Sequence, residues 1–361
     1  MIITYVFADS TMEFNTSNWR CMMPHNAINK TKEHKSNLIH LNEFINNSEN
    51  SQKFCQESDI IIVERNLFGD TNTMLQFWKG RNKILVANFD DAYPFITPSN
   101  IAYNFWNLGE INVNDGTGEK KAYMRPMPLR QFEWGLKICA GAIMPSKTLA
   151  KDYEHLTPTY VVKNYPPVEV YTSIEKQKHD EIIIGWGGSL SHFQSFVDSG
   201  VLNAIKRICK KIPEVKLMIN GDKRVYDNIE IPEDRKIFHG FVPYEQWPAL
   251  VSNFDIGLAP LAGEYDKRRS WIKPLEYMLL KIPWLASDIG SYDEIREYGR
   301  LVKNRYDIWE TVLLETINNL GSEENNERIN RAYEFAIKQD TFLNVNNIIN
   351  TFKKIIDKGY D

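Results

Sequence analysis

Residues Tyr265–Glu294 read YDKRRSWIKPLEYMLLKIPWLASDIGSYDE and hold, in order, a cluster of charge, a helix and a strand. Four cations (Lys267, Arg268, Arg269, Lys273), a hydroxyl (Ser270) and one carboxylate (Glu276) stand ahead of an apolar run. Pro274 suits the first turn of a helix, where its missing N–H leaves no bond unmade, so the cations gather where the helix dipole already favours an anion. The simplest ligand for such a place is a phosphate or diphosphate. A solvated charge run ahead of an ordinary helix would carry the same residues, so the surrounding chain has to decide.

Outward from this stretch, short β-rich runs alternate with helical segments. In the second half the runs are Ile182–Trp186, Val215–Asn220, Lys236–Phe238, Ile256–Ala259 and Trp284–Ser287. In the first half they are Ile2–Ala8, Ile60–Glu64, Ile84–Phe89 and Ala142–Met144. Apolar runs of this length, spaced by longer mixed segments, are the pattern of buried parallel strands with crossover helices. From Phe193, the residues Phe196, Val197, Leu202, Ile205, Ile208 and Ile212 recur at helical spacing and predict one amphipathic helix of about five turns, weakened but not broken by Gly200. Asn42–Ser51 is polar enough to predict a mobile loop. Pro166 and Pro167, followed by a charged irregular stretch, mark a seam at Asn164–His179.

The expected architecture is α/β: two doubly wound Rossmann-like domains whose strand carboxyl ends face a cleft. Residues 1–164 form the first domain, 165–180 the linker and 181–335 the second domain, with residues 336–361 as a C-terminal helix returning to the first. A chain of 361 residues is long enough for two such cores. Its net charge of -4, from 43 basic and 47 acidic residues, excludes a global positive field that would draw it onto nucleic acid or anionic membrane. The four cysteines (21, 55, 139 and 209) are far apart and sit in core-like segments, which predicts a reduced, metal-free interior. The N-terminal MIITYVFADS has no basic leader or cleavage site, and no run approaches the ~20 apolar residues of a membrane span, so the expected location is cytoplasmic. Asn15-Thr-Ser and Asn29-Lys-Thr fit the glycosylation pattern but carry no meaning without secretion.

Two further segments offer chemistry. Ile182–His192 (IIIGWGGSLSH) is a strand ending in glycines that opens a helix: Gly187 and Gly188 allow close backbone approach, and Ser189 or Ser191 can cap the helix while free N–H groups face an anion. Steric needs of a tight turn would select the same glycines, and His192 alone reads as a packing or capping residue. In HGFVPYEQWPAL, starting at His239, the main chain around Phe241 and Val242 with an aromatic face offers a seat for a flat heterocycle; a hydrophobic turn closing the sheet would look alike.

Taken in order, GWGGSLSH, LMINGD, IFHGFVPYEQWPALVSNFDIGLAPL and KRRSWIKPLEYMLLKIPWLASDIGSYDEI resemble the C-terminal domain of retaining nucleotide-sugar glycosyltransferases of the GT-B fold, in particular the "group 1" family. The resemblance covers residues 140–300 well and the N-terminal half more loosely. It implies a domain that binds a nucleoside diphosphate sugar, a UDP-sugar above others, as co-substrate and with no other cofactor. Gly187, Gly188 and Ser189, with His192 and Ser270, would lie at the donor. Arg269 and Lys273 would neutralise the diphosphate as negative charge grows on the leaving oxygen, a need that requires no metal. Glu276 would hold the ribose hydroxyls, and Phe241 and Val242 would flank the base. The family's best-known pattern has one Glu, seven intervening residues and a second Glu; Arg268 stands at the first position here. Arg269-Ser-Trp-Ile-Lys-Pro-Leu-Glu276 resembles the K-S-x-x-K-x-x-E run of other members. Lys281 replaces the glycine common before the I-P-x-x-A-S strand.

In the first half, Asn88-Phe-Asp-Asp-Ala-Tyr-Pro-Phe follows a strand and resembles an Asp-Asp segment of some relatives, which would set Asp90 or Asp91 to orient the acceptor hydroxyl or touch the donor sugar. Either aspartate would equally serve to cap a turn. Asn18-Trp-Arg20, beyond the first strand, falls on the acceptor side, where Arg20 would hold an anionic acceptor or pair with a neighbouring carboxylate. A glycan or lipid-linked saccharide is the default acceptor. A hydroxymethylated base in DNA is an alternative, with YMRPMPLRQFEW (Tyr123–Trp134) as the contact surface. A sugar-nucleotide 2-epimerase and a non-catalytic nucleotide-sugar binder are the competing classes.

Overall fold

The computed structural model describes residues 1–114, 118–176, 178–189 and 192–360. The chain divides into two compact units, one of Met1–Ser10, Asn15–Pro166 and Thr341–Asp361, the other of Thr11–Phe14 and Pro167–Asp340.

The first unit is built on β1 (Ile2–Phe7), β2 (Lys35–His40), β3 (Ile60–Glu64), β4 (Ile84–Asn88), β7 (Gly141–Met144) and β8 (Thr159–Val161), with an antiparallel hairpin of β5 (Glu110–Asn114) and β6 (Glu119–Tyr123) between β4 and β7. Its six-stranded sheet has the order β2-β1-β3-β4-β7-β8, and every pairing is parallel. Ile3, Tyr5, Ile60, Ile62, Val86 and Ile143 share a core with Val345, Ile348, Ile349, Phe352 and Ile355 of the helix Val345–Lys358, so the end of the chain closes one face of the first sheet.

The second unit repeats the design with β9 (Ile182–Gly188), β10 (Val215–Gly221), β11 (Lys236–His239), β12 (Ile256–Ala259), β13 (Trp284–Ser287) and β14 (Arg300–Val302), in the order β11-β10-β9-β12-β13-β14, again all parallel. Successive residues of one strand enter opposite cores: Ile184 and Leu217 face the cluster around Trp186 and Trp309, while Ile183 and Met218 face the one around Trp247 and Tyr277. A sheet covered on both faces requires this continuous apolar run, because the side-chain period of a strand is two.

The expected α/β architecture is the observed one, with corrections at the level of elements. The helix predicted from Phe193 is two helices, Phe193–Asp198 and Val201–Lys211. Gly200 has φ +83°, a left-handed conformation that stops the first helix and starts the second, so the apolar periodicity runs through a break it does not reveal. Asn42–Ser51 is largely helical, within Leu41–Ile45 and Glu49–Glu57, because His40 and Ser48 cap those helices by accepting the N–H groups of Asn42 and Ser51. All four cysteines are buried and unpaired. Among the described residues, no helix is long and apolar enough to cross a membrane.

Candidate functional site

In each sheet the strand order reverses at one point, and in open parallel sheets the ligand crevice lies at the carboxyl ends of the strands flanking that point. In the second unit the reversal falls between β9 and β12. β9 ends in Gly187 and Gly188, and a Cβ on Gly187 would come within 2.8 Å of the Trp247 ring, so glycine there is dictated by packing. Ser189 follows, its carbonyl accepting the N–H of His192. His192, not a serine, occupies the N-cap of Phe193–Asp198, and no side chain caps that helix; Ser191 lies outside the described residues.

From the end of β12 the chain runs through the short helix Gly263–Asp266 to Arg269, Ser270 and the helix Ile272–Leu279, which carries Lys273 and Glu276. The organising group here is Asp266, which the sequence reading did not single out. It is buried and accepts hydrogen bonds from Ser195 Oγ (2.5 Å), the Ala262 N–H (2.8 Å) and Arg269 Nε (2.9 Å). It thereby ties the helix after the glycine turn to the cationic loop. Its only sequence signal is an acid three residues before Arg269 in a run otherwise cationic. Arg269 also lies over the Tyr265 ring, 4.6 Å from its centroid. Arg268 instead hydrogen-bonds Glu264, through that residue's carbonyl (2.6 Å) and Oε2 (2.9 Å).

The structure brings His192, Arg269 and Lys273 into one electrostatic group. Burial, then the positive charge of Arg269, pushes the Lys273 ammonium down to about 8, with Glu276 and Asp266 pulling the other way. Burial and the same two cations hold the His192 imidazolium well below its ordinary range, so the ring is neutral. Burial raises the Glu276 carboxyl to about 7. Glu276 Oε1 accepts both the Tyr171 hydroxyl and the Trp247 indole N–H, each at 2.9 Å. Phe241 is exposed, and the Val242 carbonyl accepts the Phe14 N–H at 3.0 Å. Phe14 packs on Tyr244 and Trp247, so residues Thr11–Phe14 complete this aromatic wall from far away in sequence. Asn220, at the end of β10 and paired in register with Gly187, is fully buried with both side-chain polar atoms unpartnered, a second group that sequence reading did not mark.

The remaining expected residues lie in the first unit. Asn18 is engaged locally, its Oδ1 accepting the Asn15 N–H at 3.0 Å. Arg20 is buried and held by Asn88 Oδ1, the Val162 carbonyl and Asn164 Oδ1 at 2.7–3.0 Å. Asp90 lies near Arg20 and Arg65, and Asp91 near Tyr93 and Tyr153. Among the described residues, no group of three or more His, Cys, Asp or Glu is arranged to hold a metal ion.

Residues 183–319 match the family model described as Glycosyl transferases group 1. A comparison with curated proteins finds none that matches. Among solved structures, a glycosyltransferase from Rickettsia africae ESF-5 superposes with a TM-score of 0.65 at 12% identity, over 98% of this chain and 98% of that one. HepE from Anabaena, solved in complex with UDP-glucose, gives 0.64 at 13% identity over 98% and 100%. A Listeria monocytogenes protein assigned as a UDP-N-acetylglucosamine 2-epimerase gives 0.56 at 12% identity over 99% and 97%. These findings, with the two parallel sheets, define the class of fold: two Rossmann-like domains of the GT-B type. More particularly, the match to the group 1 glycosyl transferase model lies within the second unit.

Proposed function

We propose that this protein moves a sugar from a nucleoside diphosphate sugar, a UDP-sugar above others, to a hydroxyl on a glycan or lipid-linked saccharide, with retention of anomeric configuration. The observation that carries the reading is the convergence of Arg269 and Lys273 beside the β9 glycine turn: Asp266 joins Arg269 to Ser195 of the helix after that turn, and Arg269 lowers the protonation of Lys273 and, with it, that of His192. Two cations held together against their repulsion favour an anion between them, and a diphosphate restores the full charge of Lys273 as it binds.

In this reading the backbone at Gly187, Gly188 and Ser189 approaches the diphosphate, with neutral His192 and the Ser270 hydroxyl beside it. Arg269, fixed by Asp266, and Lys273 stabilise the charge that grows on the leaving oxygen, the work a metal does in other transferases. Glu276, fixed through Oε1, offers Oε2 to the ribose hydroxyls, and Phe241 and Val242 flank the base. Asp90 and Asp91 are assigned to the acceptor side together with Asn18, and Arg20 braces that side from within.

The test is incubation of the full chain with a panel of nucleotide sugars and saccharide acceptors, followed by NMR of the products. Released nucleoside diphosphate and a product with the donor's anomeric configuration are expected. Isomerised donor, inverted product, or an unchanged mixture with every donor contradicts the proposal.

A further inference from the structure

The reversal point of the first sheet lies between β1 and β3, and the polar groups at its carboxyl edge were not part of any linear motif. Asp9 follows β1, Glu64 ends β3 and Arg65 comes next. Arg65 pairs with Asp9, and both are partly exposed. Arg65 adopts φ +31°, a region that residues with side chains rarely enter and that collects at functional positions. Beneath the pair, Glu64 is fully buried, its Oε2 accepting the Ser17 hydroxyl (2.5 Å) and the Ala8 N–H (2.9 Å). Ser17 Oγ in turn accepts the Asp9 N–H at 3.0 Å.

This nest is short of partners. Glu64 Oε1, Arg20 Nη2, Tyr5 Oη and Tyr93 Oη are all buried without a hydrogen bond, and each belongs to a residue coupled electrostatically to this cluster. Buried polar atoms left unpaired are uncommon in proteins, and several gathered at one ligand crevice call for polar groups from outside the fold.

We propose that Asp9 and Arg65 seat the acceptor by one of its hydroxyls, and that they select a neutral, hydroxyl-rich acceptor end over a phosphorylated one. The proposal rests on the transferase reading above and names its acceptor chemistry. A hydroxyl donates to the Asp9 carboxylate and accepts from the Arg65 guanidinium, using the two members of the ion pair at once. A phosphate gains little here. Both guanidinia are already engaged, Arg65 by Asp9 and Arg20 by Asn88, Val162 and Asn164, while the carboxyls of Asp9, Glu64 and Asp90 stand close by. Glu64 touches no acceptor; it is a positioning residue that fixes Ser17 and the turn bearing Asp9.

Ligand-observed NMR on the full chain provides the test, with methyl α-D-glucopyranoside as the neutral probe and glucose 6-phosphate as the anionic one, beside UDP binding measured separately. The glycoside is expected to bind with Kd on the order of 1 mM and the phosphate more weakly. D9N and R65G are each expected to weaken glycoside binding about tenfold and leave UDP affinity unchanged. A native circular dichroism spectrum together with unchanged UDP affinity in both variants separates lost recognition from lost folding. Absent glycoside binding, unchanged binding in either variant, or tighter binding of glucose 6-phosphate overturns the proposal. Failure of the wild-type chain to bind UDP would instead contradict the donor reading and leave this result standing on its own.

Discussion

Glu64 is the residue whose chemistry was least visible in sequence, because it closes a short apolar strand and its partners, Ser17 and Ala8, come from another part of the chain. Burial raises its carboxyl from 4.5 to about 7. Between those two values the folded chain holds a proton that the unfolded chain has released, so stability falls as pH rises through this window. Glu64→Gln removes the titration, so urea unfolding should show wild type losing about 3 kcal/mol relative to the variant between pH 4.5 and 7. Parallel profiles for the two proteins would contradict this account. The groups before and within the helix Ile272–Leu279 were easier to read, since Arg269, Lys273 and Glu276 lie within one local stretch. Asp266 sits in the same stretch, yet only the fold shows that it joins Arg269 to Ser195.

Among the elements, the central strands were the most legible. Ile60–Glu64, Ile256–Ala259 and Trp284–Ser287 have the bounds expected from sequence, because a strand buried on both faces must be apolar throughout. The strands missed were the hairpin β5–β6 and, in the two large sheets, β2, β8 and β14, each at the edge of its sheet, where one side of the ladder is open and polar or short sequences suffice. The break at Gly200 was hidden for a different reason: apolar spacing reports which face is buried, not whether the backbone turns. A Cβ at this position would meet the Tyr306 nitrogen at 2.8 Å on top of the left-handed strain. Gly200→Ala should therefore cost at least about 2 kcal/mol in thermal unfolding, whereas a neutral result would mean that the two helices can merge.

At the scale of the whole molecule, the chain leaves its first unit to place Thr11–Phe14 in the second, and returns to the first from Thr341. The returning segment carries Val345, Ile348, Ile349, Phe352 and Ile356 at helical spacing, a stripe legible in sequence, and in the structure Phe352 is fully buried in the first unit's core. Phe352→Ala should destabilise the protein by about 3–5 kcal/mol in denaturant, and a loss below ~1 kcal/mol would show that the last helix is not integral to that core. The short excursion of Phe14 had no such signal, since one aromatic among polar residues does not announce what it packs against. The central claim, that the second unit grips the diphosphate of a sugar donor, is tested most directly by the rate of nucleoside diphosphate release in Lys273→Ala. The account predicts a fall of at least 10²-fold, with circular dichroism and Tm matching wild type. A folded variant that turns over donor at the wild-type rate would contradict it.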